Sequence, residues 1–325
     1  MKTSLFKLAA IVLSSAFVAP LASAQAAPYP SRPITMVVGF PPGGISDVLA
    51  RALAQRLSVQ MGQTVIVDNR AGAGTTIASI FVAQAPADGY TLYFQDMTSH
   101  AISAAAYHRL KFDAWGDFSM VSLVASTPLM LVSSTASKAN DVKALIAQAK
   151  AAPQPLPYAS SGNGTITQLA GESFKQVAGI NALHVPYKGG AGQVQALIAG
   201  EVSFGFASMP PAVSQMKGGR IHGLAVTSGK RVAAAPDVPT LKESGVPIEI
   251  LLYSGLLAPK GTPPAVVERL GAEVKKALAS PEMKQTLVEA GADAMPSTPA
   301  EFAALMKSEA ASMAKAVQMS GVVLD

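Results

Sequence analysis

Ile34-Thr35-Met36-Val37-Val38-Gly39-Phe40-Pro41-Pro42-Gly43-Gly44-Ile45-Ser46-Asp47 carries the chain from a strand into a helix through a proline–glycine turn. Ile34–Phe40 is a short, mostly apolar run and reads as a buried strand. Pro41-Pro42-Gly43-Gly44 breaks it, and Ser46 or Asp47 can cap the helix that follows. On that helix Leu49, Leu53 and Leu57 recur every fourth residue, which marks one buried face. Gly62 ends it. Thr64–Val67 predicts a second strand. Gly72-Ala73-Gly74-Thr75-Thr76 is a second glycine-rich turn into a helix, and Asp88-Gly89 is a turn before the strand Thr91–Met97. Strands alternating with helices predict a parallel sheet.

The alternation resumes after a change of character near Met120–Ser126. Leu129–Val132 reads as a strand, and Asp141–Ala151 as a helix capped by Asn140. Pro153 to Pro157 leads to a strand ending at Tyr158–Ser160. Ser161-Gly162-Asn163-Gly164-Thr165 then opens a helix to about Val177. Leu183–Tyr187, a helix through Gln193–Ala199, Val202–Ala207 and Ile221–Thr227 continue the pattern. A strand near Ile248–Leu257 precedes three helices, Pro264–Ala279, Pro281–Ala290 and Ala300–Ser320. The chain is α/β throughout, in two halves.

At the start, Lys2 and Lys7 precede an apolar stretch from Leu8 to Val18, and Ala22-Ser23-Ala24 is a small-x-small cleavage site. This is the layout of a secretory signal peptide over residues 1–24, with cleavage after Ala24 or Ala26. Its apolar core is shorter than the roughly 20 residues a membrane span needs. The expected location is therefore the periplasm. No cysteine is present, which excludes disulfides, thiolate nucleophiles and cysteine-held metals. Half of the residues are apolar and 14% are charged, enough for a sizeable core. Loss of the leader removes two lysines and no acid, so the formal charge falls from +5 to +3. No run of Lys/Arg and no basic–aromatic stripe accompanies it, so no nucleic-acid partner is expected.

The four histidines, His100, His108, His184 and His222, lack metal-ligand spacing and read as structural or surface residues. There is no nucleophile elbow, no phosphate loop and no full dinucleotide fingerprint. Neither a cofactor nor a catalytic group is expected. What stands out instead is glycine-rich turns directly before helices. A helix start carries unpaired N–H groups and a dipole that favours negative charge. Glycine lets a ligand come close to the backbone. Together they can form an anion site without a cationic side chain. Gly43-Gly44-Ile45-Ser46-Asp47 and Ser160-Ser161-Gly162-Asn163-Gly164-Thr165 are the two candidates, although either alone also reads as a tight strand–helix turn. Asp47 is an awkward partner for a carboxylate and is expected to cap the helix or fix the loop.

A set of short motifs in fixed order adds to this reading. They are Tyr29-Pro30-Ser31-Arg32-Pro33-Ile34, Pro42-Gly43-Gly44-x-x-Asp47, Val67-Asp68-Asn69-Arg70-Ala71-Gly72-Ala73-Gly74 and Pro86-Ala87-Asp88-Gly89-Tyr90-Thr91-Leu92. Downstream stand Tyr158-Ala159-Ser160-Ser161-Gly162-Asn163-Gly164, Val185-Pro186-Tyr187-Lys188-Gly189, Pro236-Asp237-Val238-Pro239-Thr240 and Ala258-Pro259-Lys260-Gly261-Thr262-Pro263. With these the chain resembles the Bug (TctC-like) family, the periplasmic receptors of tripartite tricarboxylate transporters.

The resemblance implies a type II periplasmic-binding-protein fold, two α/β lobes joined by a two-segment hinge. Lobe 1 would be 25–122 plus 251–325 and lobe 2 would be 123–250, with crossings near Val121–Ala125 and Leu251–Ser254. It implies a non-enzymatic monomer that captures a small carboxylate-bearing solute by closure. The partner would be inner-membrane permease subunits or, alternatively, a sensor kinase; an enzyme on this fold is the remaining rival. By position, Gly43, Gly44, Ser160, Ser161, Asn163 and Thr165 inherit carboxylate contacts. Ser46 and Asp47 belong to the same first loop, and Thr98, Ser99 and Ser208 are expected around the rest of the solute. Thr165 stands where serine is usual, Gln168 replaces a common histidine and Ala196 a common aspartate. Thr75 and Ala78 occupy usual glycine positions, and Tyr253-Ser254 sits where an aromatic pair is frequent. These departures bear on which solute is bound.

Overall fold

The computed structural model describes residues 29–107 and 109–320. The expected leader, its cleavage point and His108 lie outside the described residues. The first strand, β1 (Ile34–Val38), lies between β2 (Val65–Asn69) and β3 (Thr91–Asp96), parallel to both. The connections are α1 (Ile45–Met61) and α2 (Thr76–Ala83), and α3 (Met97–Ala106) follows β3. Leu49, Leu53 and Leu57 on α1 are fully buried. Burial of each such side chain contributes about 1.5–3 kcal/mol. Gly62 closes α1 in the left-handed conformation, at φ 66°.

β4 (Phe118–Ser134) then runs for 17 residues through both halves of the molecule. The second half comprises α4 (Val142–Ala151), β5 (Leu156–Ser160), α5 (Ile166–Ala178), β6 (Ala182–Pro186), α6 (Gly189–Ala199), β7 (Phe204–Ser208), α7 (Met209–Lys217) and β8 (Ile221–Val226). β9 (Leu251–Pro259) returns to the first half, followed by α8 (Pro264–Ala279), α9 (Pro281–Glu289), the short β10 (Asp293–Ala294) and α10 (Pro299–Ser320). The strand order is β2-β1-β3-β9-β4-β7-β5-β6, with β8 and β10 also on β4. These are two α/β lobes joined by two antiparallel strands.

Val121–Ala125 lies in β4 and Leu251–Ser254 in β9, where Ala125 pairs with Ser254. Two register shifts, between Met120 and Ser122 and between Leu123 and Ala125, fall on this stretch. Such bulges bend a strand and increase its twist. From Leu129 onward β4 leaves β9 and pairs instead with β7 and β8.

Several local expectations change. β4 is far longer than Leu129–Val132, because Ser119, Ser122 and Ser126 interrupt its apolar pattern. The buried Ser122 hydroxyl is satisfied by Leu123 O (2.7 Å) and the Ser297 N–H (3.1 Å), so its polarity costs the strand little. Asp141, not Asn140, caps α4, accepting the Ala144 N–H at 2.7 Å. Neither Ser46 nor Asp47 is the N-cap of α1; that position is Gly44. α3 and α7 were not expected. α3 begins in polar residues that turn out to be buried, and α7 carries Pro210 and Pro211 in its first turn, where proline is tolerated.

Candidate functional site

Parallel strands place their carboxyl ends and the following helix starts on one edge of each half. The starts of α1, α3, α5, α6 and α7 converge there on a narrow cavity of about 30 Å³. The first half contributes Phe40, Pro41, Gly44, Ile45 and Ser46 from the β1–α1 turn and Asp96 from the end of β3. The second contributes Ser161, Ile166 and Thr167 at α5, Gly190 and Gln193 at α6, and Ser208 at α7. Leu129 of β4 and Leu252 of β9 form its apolar floor. Asp96 is the one ionisable residue in this lining, which holds no lysine or arginine.

The first glycine turn is braced from below. Gly43 has φ +91°, which favours glycine. Its N–H donates to Asp47 Oδ2 at 3.0 Å. Asp47 is 4% exposed and is also held by Arg51 (2.9 Å) and by Asn69 Nδ2 (3.0 Å). Burial pushes its carboxyl upward, but the bonds from Arg51, Gly43 and Asn69 outweigh that and hold it below its ordinary value. Asp47 thus fixes the loop and occupies the Gly43 N–H. The first bond of α1 runs from Val48 N–H to Gly44 O, so Ile45, Ser46 and Asp47 N–H have no partner within the helix. A side chain at Gly44 would meet nothing within 4 Å and would extend into open space.

The second turn is knitted by hydroxyls. Ser161 N–H donates to Thr167 Oγ1 (2.9 Å), Thr165 Oγ1 donates to Gly162 O (2.7 Å), and Ser160 Oγ lies 2.6 Å from His184 Nε2. Gly164 N–H donates to Gln168 Oε1 at 2.8 Å, so Gln168 fixes this loop. Asn163 and Thr165 line a neighbouring wider cleft of about 560 Å³, which shares Phe40, Pro41 and Ser161 with the narrow cavity and includes Lys188.

The two halves touch across this edge. Ile166 N–H donates to Ser99 Oγ at 3.1 Å, and Ser103 Oγ reaches Gly164 O at 3.5 Å. A side chain at Gly189 would come within 2.8 Å of the Pro41 ring.

Of the residues singled out in the sequence, Gly44, Ser46, Ser161 and Ser208 line the narrow cavity, with Asn163 and Thr165 in the adjoining cleft. Gly43 and Asp47 lie behind the first loop. Ser160 is fully buried beneath the second. Thr98 ties α3 to β9: its Oγ1 donates to Leu251 O (3.3 Å) and accepts the Tyr253 N–H (3.1 Å). Ser99 donates through both N–H (2.9 Å) and Oγ (2.5 Å) to Asp96.

Sequence reasoning missed Asp96, Thr167, Gly190 and Gln193. Asp96 is 1% exposed; desolvation raises its carboxyl to about 6, against the bonds from Ser99 and Thr98 that lower it. Gln193 is fully buried, with Nε2 donating to Ala159 O (2.9 Å) and Phe206 O (2.8 Å). The Gln193 Oε1 and Ser208 Oγ atoms are buried without a hydrogen-bond partner. Only the aspartate left a trace, as an acid two residues before Thr98-Ser99. His100 is enclosed by Phe112, Trp115 and Phe118, bonds to Ala114 O (2.7 Å), and is kept below its ordinary pKa by burial. Among the described residues no cluster of His, Asp and Glu can hold a metal, and no helix is long and apolar enough to cross a membrane.

Two α/β lobes joined by two strands, with helix starts facing a cavity between them, have the architecture of the periplasmic-binding-protein fold. The sequence matches the tripartite tricarboxylate transporter family receptor over residues 49–322, and the chain belongs to that family. It is 34% identical to protein BugT of Bordetella pertussis over 324 residues, 99% of each chain. An R. palustris protein solved with adipate is similar at TM-score 0.88 and 34% identity, over 91% of this chain and 99% of that one. MatC from Rhodopseudomonas palustris, solved with bound malate, is similar at TM-score 0.83 and 27% identity, over 89% and 100%.

Proposed function

We infer that this protein is a periplasmic receptor that captures a small carboxylate-bearing solute between its lobes and leaves it chemically unchanged. The observation that carries this is the meeting of two helix starts, one from each half, at a cavity lined by no cationic side chain. Their free N–H groups, with the hydroxyls of Ser46, Ser161 and Thr167, supply neutral donors for an anion. Hydrogen bonds to a charged group contribute about 1.5–3 kcal/mol each, so a few suffice for useful affinity. The family to which the chain belongs, and relatives solved with adipate and malate, support a carboxylate.

The chain passes between the lobes at 122/123 and again at 250/251. A solute touching both halves favours the closed arrangement, where both sets of contacts are made. Delivery is to the permease subunits of a tripartite tricarboxylate transporter. The test is a titration of ligand-freed protein with mono- and dicarboxylates, read by thermal shift and calorimetry. An acid that binds raises the melting temperature by mass action. Gly44→Leu should abolish that rise while leaving the unliganded melting temperature nearly unchanged. Acid binding that survives this substitution contradicts the anion-site reading.

A further inference from the structure

The donors at the two glycine turns account for one part of a solute. Two residues of the cavity wall have the opposite character. Gln193 is pinned by Ala159 O and Phe206 O, both acceptors that require its Nε2. Exchanging the amide atoms would set three acceptors against one another, so Oε1 is fixed as the atom left over. It is fully buried and unpartnered. A buried acceptor without a donor is costly, and Gln193 lines the cavity. Asp96 lines the same cavity. Ser99 holds both of its oxygens, each with lone pairs to spare. A solute carboxylate brought beside Asp96 would place two negative charges in one desolvated space, with no lysine or arginine in the lining. A solute that carries its own positive charge cancels that repulsion.

We propose that Asp96 and Gln193 form an ammonium subsite, so that the solute is an amino-bearing carboxylate, a zwitterion, rather than a plain acid. This rests on the carboxylate reading above. Ammonium offers three donors and no acceptor, which suits a carboxylate and an amide oxygen.

The experiment is calorimetric titration of ligand-freed protein with acids of three to six carbons. Each skeleton is presented as the plain acid, the 2-hydroxy acid and the 2-amino acid. The 2-amino member of the best-bound skeleton should bind at least tenfold more tightly than its plain counterpart. Asp96→Asn keeps the α3 cap, and Gln193→Met keeps the side-chain volume. Each should weaken the amino acid at least tenfold more than it weakens the plain acid. Plain or hydroxy acids binding as tightly as the amino member overturn the proposal. So does an amino-acid preference that neither substitution reduces. If no acid of any kind binds, the carboxylate reading itself fails and takes the subsite with it.

Discussion

Asp96 shows what one residue does to both stability and site. Its carboxyl is raised in the folded state to about 6, because burial disfavours the charge more than Ser99 and Thr98 favour it. Between the ordinary aspartate range and pH 6, the folded protein therefore binds more protons than the unfolded chain. The group's contribution is fully present below about pH 4 and is lost as pH rises toward 6. At roughly 1.4 kcal/mol per unit this is on the order of 3 kcal/mol. Asp96→Asn should remove that slope; denaturant unfolding of the unliganded protein at pH 4, 5, 6 and 7 measures it against the parent.

Asp47 works in the opposite sense. Its carboxyl is lowered, so its contribution is lost as pH falls. Asp47→Ala leaves the Gly43 N–H without its acceptor and leaves Asn69 Nδ2 with Phe40 O alone, and should lower stability by about 1–3 kcal/mol. Solute affinity should fall with it, because the first turn loses its brace. Denaturant midpoints and the same titration check both. The motif around Asp47 is legible in sequence as a glycine turn before a helix. Gln193 is not: within Gly189–Ala199 a glutamine reads as a solvated position, and only packing over the carbonyls of β5 and β7 buries it.

At the scale of elements, a site between helix starts depends on how firmly each helix sits on its sheet. Gly171 of α5 shows how closely: a side chain there would lie 2.2 Å from Tyr158 Cε2 on β5. Tyr158 is fully buried, and its hydroxyl donates to Glu172 Oε1 at 2.5 Å, so it cannot swing aside freely. Gly171→Leu should cost about 1–3 kcal/mol through overpacking. It should also weaken solute binding by lifting the start of α5, as thermal unfolding and titration would register together. The helices with a regular apolar face, such as α1 and α8, are readable from spacing alone. α3 is not, because Thr98, Ser99, His100 and Ser103 are polar residues buried by tertiary partners. α7 hides behind its prolines.

For the whole molecule, the central fact is the pair β4 and β9, which carries the chain between halves. In this structure the halves already meet through Ile166 N–H and Ser99 Oγ and through the packing of Pro41 on Gly189. Closure on a solute predicts a shift between an open and a closed population. The chain has no cysteine, so Ile77→Cys with Val177→Cys gives one labelled pair at exposed sites on α2 and α5. Saturating solute should shorten and narrow the spin-label distance distribution. An unchanged distribution argues against closure.

The alternating α/β order, the helix faces that must be buried and the two glycine turns with unpaired donors are all legible in the sequence. These follow from local periodicity and from backbone sterics, which act over a few residues. The motif order further pointed to the family. That both turns face one cavity, that β4 spans both halves, and that Asp96 and Gln193 join the cavity wall is visible only in the folded molecule. Those facts depend on residues nearly a hundred positions apart being brought together by the sheet. Burial, and with it an unpaired amide oxygen or a raised carboxyl, exists only once that packing is complete.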